Sequence, residues 1–258
     1  MHHASMDRHA GLESPIHRLD ARAKLVAAFV YTAAAVSEPR TEFAGLLPYL
    51  VPPLAVILIS GVPLRFVFLR VLLLSPFALV VSAANAVFET GHVTVTLGPW
   101  NAVVREGFVT GGAILLKYLI SALALLALAT TTRLYRLAGA MSSLGLPRLL
   151  AMQVTFVYRY LFVVVDELER RRRAVEVRTV GQPGVGQRAR AATGALAGLF
   201  VRSLDRAEMV SAAMCVRGFD GMVPRAAGER LGLADVGFVM CAVIVVALLR
   251  GRGVWLAG

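Results

Sequence analysis

The stretch LLAMQVTFVYRYLFVVVDELERRRRAVEVR, residues 149–178, decides the fold of this chain. Its first half is apolar apart from Arg159, which stands between two tyrosines, and its second half is densely charged. Because no proline or glycine interrupts it, the stretch predicts a helix from Arg148 to Thr179, about 48 Å long at 1.5 Å per residue. A helix with these two halves runs from an apolar environment into water.

The composition of the whole chain is typical of a membrane protein. Of its 258 residues, 57% are hydrophobic and 17% are charged, and the mean hydropathy is +0.69. Several long segments are nearly free of charge, which predicts transmembrane helices. These are expected near residues 25–40, 43–61, 66–88 and 108–131, with a further one at 231–249. The expected fold is an all-α, multi-pass integral membrane protein with four or five spans, located in the inner (cytoplasmic) membrane.

The positive charge is concentrated in one region. The net charge is +11, and residues 133–230 contain 16 arginines and 8 acidic residues. Because Lys and Arg accumulate on the cytoplasmic side of membrane proteins, this region is expected to face the cytoplasm. The chain is thus predicted to consist of N-terminal transmembrane helices (1–132), long cytoplasmic helices (133–230), and a C-terminal transmembrane helix with a tail (231–258).

The acidic residues of this basic region follow helical spacing. Three acids stand four residues before an arginine, the favourable order on a helix, and such pairs are typical of a long solvated helix rather than of a nucleic-acid-binding face. Contact between some arginines and lipid headgroups is compatible with this pattern. We therefore expect membrane lipid and no nucleic acid among the partners. The pairs are Asp166–Arg170, Glu167–Arg171 and Glu169–Arg173.

Two long helices are predicted to end in the same way. The glycine- and proline-containing segment 181–187 separates the first helix from a second one, expected from Arg188 to Val216. Val177–Arg178–Thr179 closes the first helix, and Val216–Arg217–Gly218 closes the second. Taken singly, each end is an ordinary one, in which arginine complements the helix dipole and glycine caps the last turn. The repetition favours a second interpretation, in which both arginines dock into acidic grooves of a partner.

Other residues are expected to support these helices. Gly194 and Gly198 have the spacing that permits close helix contact. Arg159 lies in an apolar segment, where an ionisable side chain is costly without a partner, and Asp166 or Asp205 is the candidate acid.

A short helix is expected before the first long one. It lies near Arg133–Ser143, Gly145 suits its C-terminal cap, and Pro147 suits the first turn of the helix that follows.

Neither a catalytic nor a metal site is predicted. No Ser/His/Asp or Cys/His constellation stands out, and Cys215 and Cys241 lie in or beside apolar stretches without ligand spacing. Histidine is a common ligand of nickel and cobalt, but the histidines here lack a carboxylate or thiol that would complete a site. The phosphate-binding sequence Gly-x-x-x-x-Gly-Lys-Ser/Thr is not found at either lysine of the chain, Lys24 or Lys117. The histidines are His2, His3, His9, His17 and His92.

Three segments together resemble the transmembrane T component of energy-coupling factor ABC transporters, of the CbiQ type associated with cobalt or nickel uptake. They are DRHAGLESPIHRLDARAKL (7–25), LPRLL followed by YRYLFVVVDELERRRRA (146–150 and 158–174), and VRSLDRAEMVSAAMCVRGFDG (201–221). The resemblance covers nearly the whole chain, and the combination is much more specific than any one segment.

The resemblance implies a role for the two helix ends. In that family Ala-Arg-Gly-like triplets at the ends of long coupling helices dock into two ATP-binding cassette ATPase subunits. Carried over, they fall on Val177–Arg178–Thr179 and Val216–Arg217–Gly218, where both arginines match and the small neighbours match only at Gly218. The implied partners are two ATPases and a membrane S component that binds the metal ion. ATP and Mg would be bound by the ATPases and not by this chain, which would be non-catalytic.

Two other functional classes remain open at this stage. A stand-alone secondary transporter would need broken helices with ionisable groups near the middle of the membrane, for which Lys117 is the candidate. An integral membrane enzyme would need a catalytic constellation. Neither cobalt nor nickel is favoured by the sequence.

Overall fold

A computed structural model describes residues 14–39, 43–89, 91–97, 100–178, 184–219, 221 and 232–256. The contacts divide the chain into two compact units. One consists of Met1–Ala140 with Glu229–Gly258, and the other of Met141–Gly228.

The predicted all-α fold is confirmed, with one short hairpin added. Strands β1 (His92–Leu97) and β2 (Trp100–Arg105) pair antiparallel in the segment that was predicted to be a loop between two spans. The helices are α1 (Ala21–Ser37), α2 (Phe43–Leu46), a 3-10 turn (Leu47–Leu50), α3 (Val51–Ile59), α4 (Leu64–Phe88), α5 (Glu106–Thr131), α6 (Leu134–Ser143), α7 (Arg148–Arg178), α8 (Val185–Val216) and α9 (Leu233–Leu256).

Four helices of the described chain are long and apolar enough to span a membrane: α4, α5, α7 and α9. The first, second and fourth of these confirm predicted spans. Helix α7 belongs to the region 133–230, which was predicted to face the cytoplasm, and its first half is the part that was predicted to lie in an apolar environment. The apolar N-terminal part of α7 satisfies the length requirement by itself, although the charged part follows on the same helix.

Two predicted spans differ from the expectation. Helix α1 begins at Ala21 and ends at Ser37, earlier than the predicted span 25–40, and its 17 residues are at the short end of the range that crosses a bilayer. The segment predicted to span at 43–61 is divided into α2, a 3-10 turn and α3. Proline lacks the backbone N–H that a continuous helix requires, and Pro48, Pro52 and Pro53 stand where these pieces begin.

The ends of the long helices also refine the prediction. Helix α8 begins at Val185, three residues before the predicted start, because Gly184 serves as its N-cap with an extended backbone. Gly145 has a φ of +114°, and the Leu146 N–H donates to the Met141 carbonyl across the end of α6. Helix α7 then follows directly after Pro147, as the sequence predicted.

Helices α4 and α5 pack most closely through glycine. A Cβ atom added at Gly107 would lie 2.6 Å from the carbonyl oxygen of Asn85 and 2.9 Å from that of Glu89. One turn further along α5, the Ser82 hydroxyl donates to the Gly111 carbonyl over 2.9 Å. Two backbones therefore meet where only glycine leaves room, as is common between transmembrane helices.

Both lysines of the chain cap helix C-termini in the first unit. Buried Lys24 donates to the carbonyl of Thr131, the last residue of α5, over 3.1 Å. Lys117 donates to the carbonyls of Val36 and Glu38 at the end of α1, over 2.9 and 2.6 Å. A cation satisfies free carbonyls there and complements the helix dipole, so each lysine links α1 to α5.

Substituting Gly107→Ala is expected to lower the free energy of unfolding by about 1–3 kcal/mol, because the added methyl group pushes apart two backbones that cannot both yield. Thermal unfolding of the purified protein in detergent measures the change. The matched control is Gly139→Ala in α6, where an added Cβ meets nothing within 4 Å. Equal stability of the two variants would contradict this account of α4–α5 packing.

Candidate docking site on the α7–α8 helix pair

An ion-pair cluster around Glu167 joins α7 to α8. The Glu167 carboxylate accepts hydrogen bonds from Arg170 and Arg171 on its own helix, over 3.0 and 3.3 Å. It also accepts one from Arg202 of α8, over 3.0 Å. The Glu167 side chain is only 15% exposed, so this charge depends on its three partners more than a surface carboxylate would.

Arg171 also binds the backbone of α8. Its guanidinium group donates to the backbone carbonyls of Ala195 and Gly198, over 3.1 and 2.9 Å. A Cβ atom at Gly198 would collide with the Arg171 guanidinium, whereas Gly194 has open space around it. Of the two predicted small residues, Gly198 is therefore the one at a close contact, and the neighbour it admits is an arginine rather than a helix backbone.

The two helices run in opposite directions through this contact. Arg171 lies beside Gly198, and Glu167, one turn earlier in α7, lies beside Arg202, one turn later in α8. The C-terminal ends therefore extend away on opposite sides of the contact. From Glu167 to Arg178 is about 16 Å along the helix, and from Arg202 to Arg217 about 22 Å, at 1.5 Å per residue.

The end of α8 has a complete glycine cap. The Phe219 N–H donates to the Met214 carbonyl and the Gly218 N–H to the Cys215 carbonyl, both over 3.0 Å. Gly218 has a φ of +78°, which an L residue rarely adopts and which this cap, the Schellman motif, requires. The cap satisfies backbone carbonyls of the last turn, and the Arg217 side chain is exposed at the helix end.

The end of α7 presents the same pair of side chains. Arg178 is exposed and is the last residue of the helix, and Val177 before it is 85% exposed, close to the 90% of Val216 before Arg217. Thr179, the third residue of the predicted triplet, lies outside the described residues. Each end thus offers an arginine beside an exposed valine. A protein partner can bury such a valine in an apolar contact and accept charge-assisted hydrogen bonds from the arginine.

The other predicted residues are distributed along the pair. Arg159 lies on an exposed part of α7 and Asp205 on an exposed part of α8, while Asp166 is partly buried. The pairing of Arg159 with either acid stays a prediction. Of the predicted pairs along α7, Glu167–Arg171 and Glu169–Arg173 form, the latter over 3.3 Å.

Arg202 and the interhelical role of Arg171 were not predicted. The i, i+4 spacing identified Arg171 as a partner of Glu167, but spacing within one helix carries no information about which residues of another helix lie opposite.

Among the described residues, no group of three or more His, Cys, Asp or Glu side chains is arranged to hold a metal ion. Three of the five histidines, His2, His3 and His9, lie outside the described residues. His17 is described and exchanges a hydrogen bond with the Ser14 hydroxyl over 2.7 Å.

The sequence profile of the family CbiQ, described as cobalt transport protein, matches residues 13–227. The chain belongs to the CbiQ family. It is a membrane subunit of a transporter and a multi-pass protein of the cell membrane, and the predicted resemblance to the T component of energy-coupling factor transporters is confirmed.

Curated relatives agree with this family. The energy-coupling factor transporter transmembrane protein EcfT of Clostridium kluyveri is 28% identical to this chain, with 94% of each chain covered. The protein of the same name from Limosilactobacillus fermentum is 29% identical over 91% of each. That from Lacticaseibacillus paracasei is 26% identical, over 81% of this chain and 82% of its own. The similarity therefore extends through both units and includes the α7–α8 pair.

Gly198→Ala is expected to destabilise this CbiQ-family protein by about 1 kcal/mol relative to Gly194→Ala. Both substitutions replace a helical glycine of α8 with the same residue, but only the first displaces the Arg171 guanidinium from its two carbonyl partners. Thermal unfolding in detergent compares the two variants. If Gly198→Ala is as stable as Gly194→Ala, Arg171 does not hold the helices together.

Proposed function

We propose that this chain is the coupling subunit of an energy-coupling factor importer, which transmits ATP-driven motion from two ATPase subunits to a substrate-binding S component. The observation that carries the proposal is the α7–α8 pair, whose two ends each present an exposed arginine next to an exposed valine. Two ends of this kind on opposite sides of one contact suit two separate partner subunits.

The proposed docking contacts are electrostatic and apolar together. Arg178 and Arg217 insert into acidic grooves, one on each ATPase, where the planar guanidinium group meets carboxylates in a bidentate manner. Val177 and Val216 provide the apolar contact beside them, and Gly218 keeps the end of α8 compact. Thr179 is the corresponding neighbour at the end of α7.

Coupling then follows from the rigidity of the pair. ATP binding closes the two ATPases, and the closure moves the two helix ends that are docked in them. Glu167, Arg171 and Arg202 hold α7 and α8 together, so the two helices do not slide past each other. A displacement of one helix end is therefore transmitted through this contact to the other helix. Energetic coupling requires that each partner binds one arrangement of the α7–α8 pair more tightly than another. The ATPases, in their closed state, and the membrane partner would both have such a preference.

The apolar surface of the pair supports a membrane partner. Only 6% of the most apolar window of α7 is buried within the chain. On α8, several large apolar side chains are at least half exposed: Leu196, Phe200, Val201 and Leu204. Uncovered apolar area of this extent marks a contact with lipid or with another protein. We assign it to the S component, with membrane lipid covering the remainder.

Cobalt is the proposed substrate, supported by the description of the family, and nickel is the second candidate, supported by the resemblance of the sequence segments. The metal ion would be bound by the S component. ATP and Mg would be bound by the ATPases, which carry out the hydrolysis, while this chain is non-catalytic.

The structure weakens the case for a stand-alone secondary transporter. That alternative depended on Lys117 as an ionisable group within the membrane. Lys117 is engaged with the carbonyls of Val36 and Glu38 at the end of α1, which gives it a structural role.

The double substitution Arg178→Glu with Arg217→Glu is expected to abolish co-purification of the ATPases and to reduce ATP-dependent metal uptake to background, because it replaces attraction by repulsion at both grooves. Co-purification with a tagged ATPase and uptake into proteoliposomes measure the two effects. The control variant, Arg190→Glu with Arg206→Glu, makes the same charge change at exposed positions within α8. Normal assembly and transport by the first variant would refute the docking role.

The substrate is tested with defined S components. Radioactive cobalt and nickel uptake is measured in proteoliposomes that contain this chain, the ATPases and one S component at a time. We expect cobalt accumulation that requires ATP and all subunits. Accumulation by this chain alone, driven by an ion gradient, would favour the secondary-transporter alternative.

A further inference from the structure

A cleft separates the last turns of α7 from the first turns of α8. Its volume is about 1000 Å³. Apolar side chains such as Leu168, Val175 and Leu196 form its walls, and alanines of α8 keep it open. Arg178, the proposed docking residue of α7, lies at this cleft, so the end of α7 is not an isolated helix tip.

The charged residues of the cleft do not balance. Arg172 and Glu176 form an ion pair over 3.0 Å within α7. Arg178 of α7 and Arg188 of α8 also line the cleft, and among the described residues that line it Glu176 is the one carboxylate. Once Arg172 and Glu176 have neutralised each other, two positive charges from two different helices remain at one cavity.

We propose that Arg188 is a second docking residue, which acts with Arg178 to bind an acidic side chain of the ATPase segment that contacts the end of α7. This inference rests on the proposed function and deepens it. The two guanidinium groups provide the charge for one carboxylate, and the apolar walls accommodate the apolar residues beside it on the partner.

The two docking sites are therefore unequal. At the α7 end, residues of both helices contribute, and the contact lies partly within the cleft. At the α8 end, the glycine-capped turn presents Arg217 from one helix. Because partly enclosed charge pairs are screened less by salt than exposed ones, the contact at α7 is expected to be the more salt-resistant of the two.

The experiment uses the full complex with a tagged ATPase and compares Arg188→Ala, Arg188→Glu and Arg190→Glu. Arg190 lies two residues further along α8, is exposed and does not line the cleft, so Arg190→Glu is the matched control. The affinity for the ATPase is measured by titration in detergent. Arg188→Ala is expected to weaken binding roughly tenfold, Arg188→Glu more than that, and Arg190→Glu less than twofold.

Two results would overturn the inference and leave the proposed function in place. One is wild-type affinity of Arg188→Glu when Arg178→Glu has lost binding. The other is equal loss in Arg188→Glu and Arg190→Glu, which would indicate a general effect of charge.

The source of the acidic group is tested by measuring how much added phosphatidylglycerol binds to the detergent-purified wild-type protein and to Arg188→Glu. If Arg188→Glu binds less phosphatidylglycerol but keeps the ATPases, the cleft takes a lipid headgroup and the inference is wrong. If Arg178→Glu with Arg217→Glu also retains the ATPases, the proposed function fails with it.

Discussion

The contact of Arg171 with the backbone of α8 is the constraint on which the α7–α8 pair depends. The Arg171 guanidinium group donates to two carbonyls of α8 and also to Glu167 on its own helix, which holds this part of α8 against α7. Gly198 leaves room for that group, since a Cβ atom there would displace the end of the Arg171 side chain. The opposite directions of the two C-terminal ends follow from this contact together with the ion pair between Glu167 and Arg202.

The same physical device recurs in the first unit. There the cations are lysines, and Lys24 and Lys117 donate to carbonyls at the ends of α5 and α1. In both units a long cationic side chain donates hydrogen bonds to backbone carbonyls of a neighbouring helix. In the first unit these carbonyls lie at helix ends, and in the second they lie where α7 and α8 are in contact. Between helices with little polar surface, such hydrogen bonds supply the specificity that apolar packing alone does not.

Much of the fold could be predicted from the sequence because its signals are local. Long uncharged runs identified α4, α5 and α9, and Gly145 with Pro147 marked the boundary between α6 and α7. The segment at 43–61 was predicted as one continuous helix, but its prolines divide it into α2, a 3-10 turn and α3. Arg178 and Arg217 could be singled out from the sequence because both long helices end in the same Val-Arg pair. The contacts of Arg171 and Arg202, and the position of Arg188 at the cleft, could not be predicted, because they depend on which residues of two helices lie opposite each other.

The central claim is that the two ends of the α7–α8 pair contact two ATPase subunits. The most direct measurement introduces a photo-crosslinking amino acid in place of Val177 or Val216, which are 85% and 90% exposed, in the complete complex. Each position is expected to crosslink to an ATPase subunit, and a complex with both substitutions is expected to contain one copy of this chain joined to two ATPases. Crosslinking of both positions only to lipid or to the S component would contradict this claim.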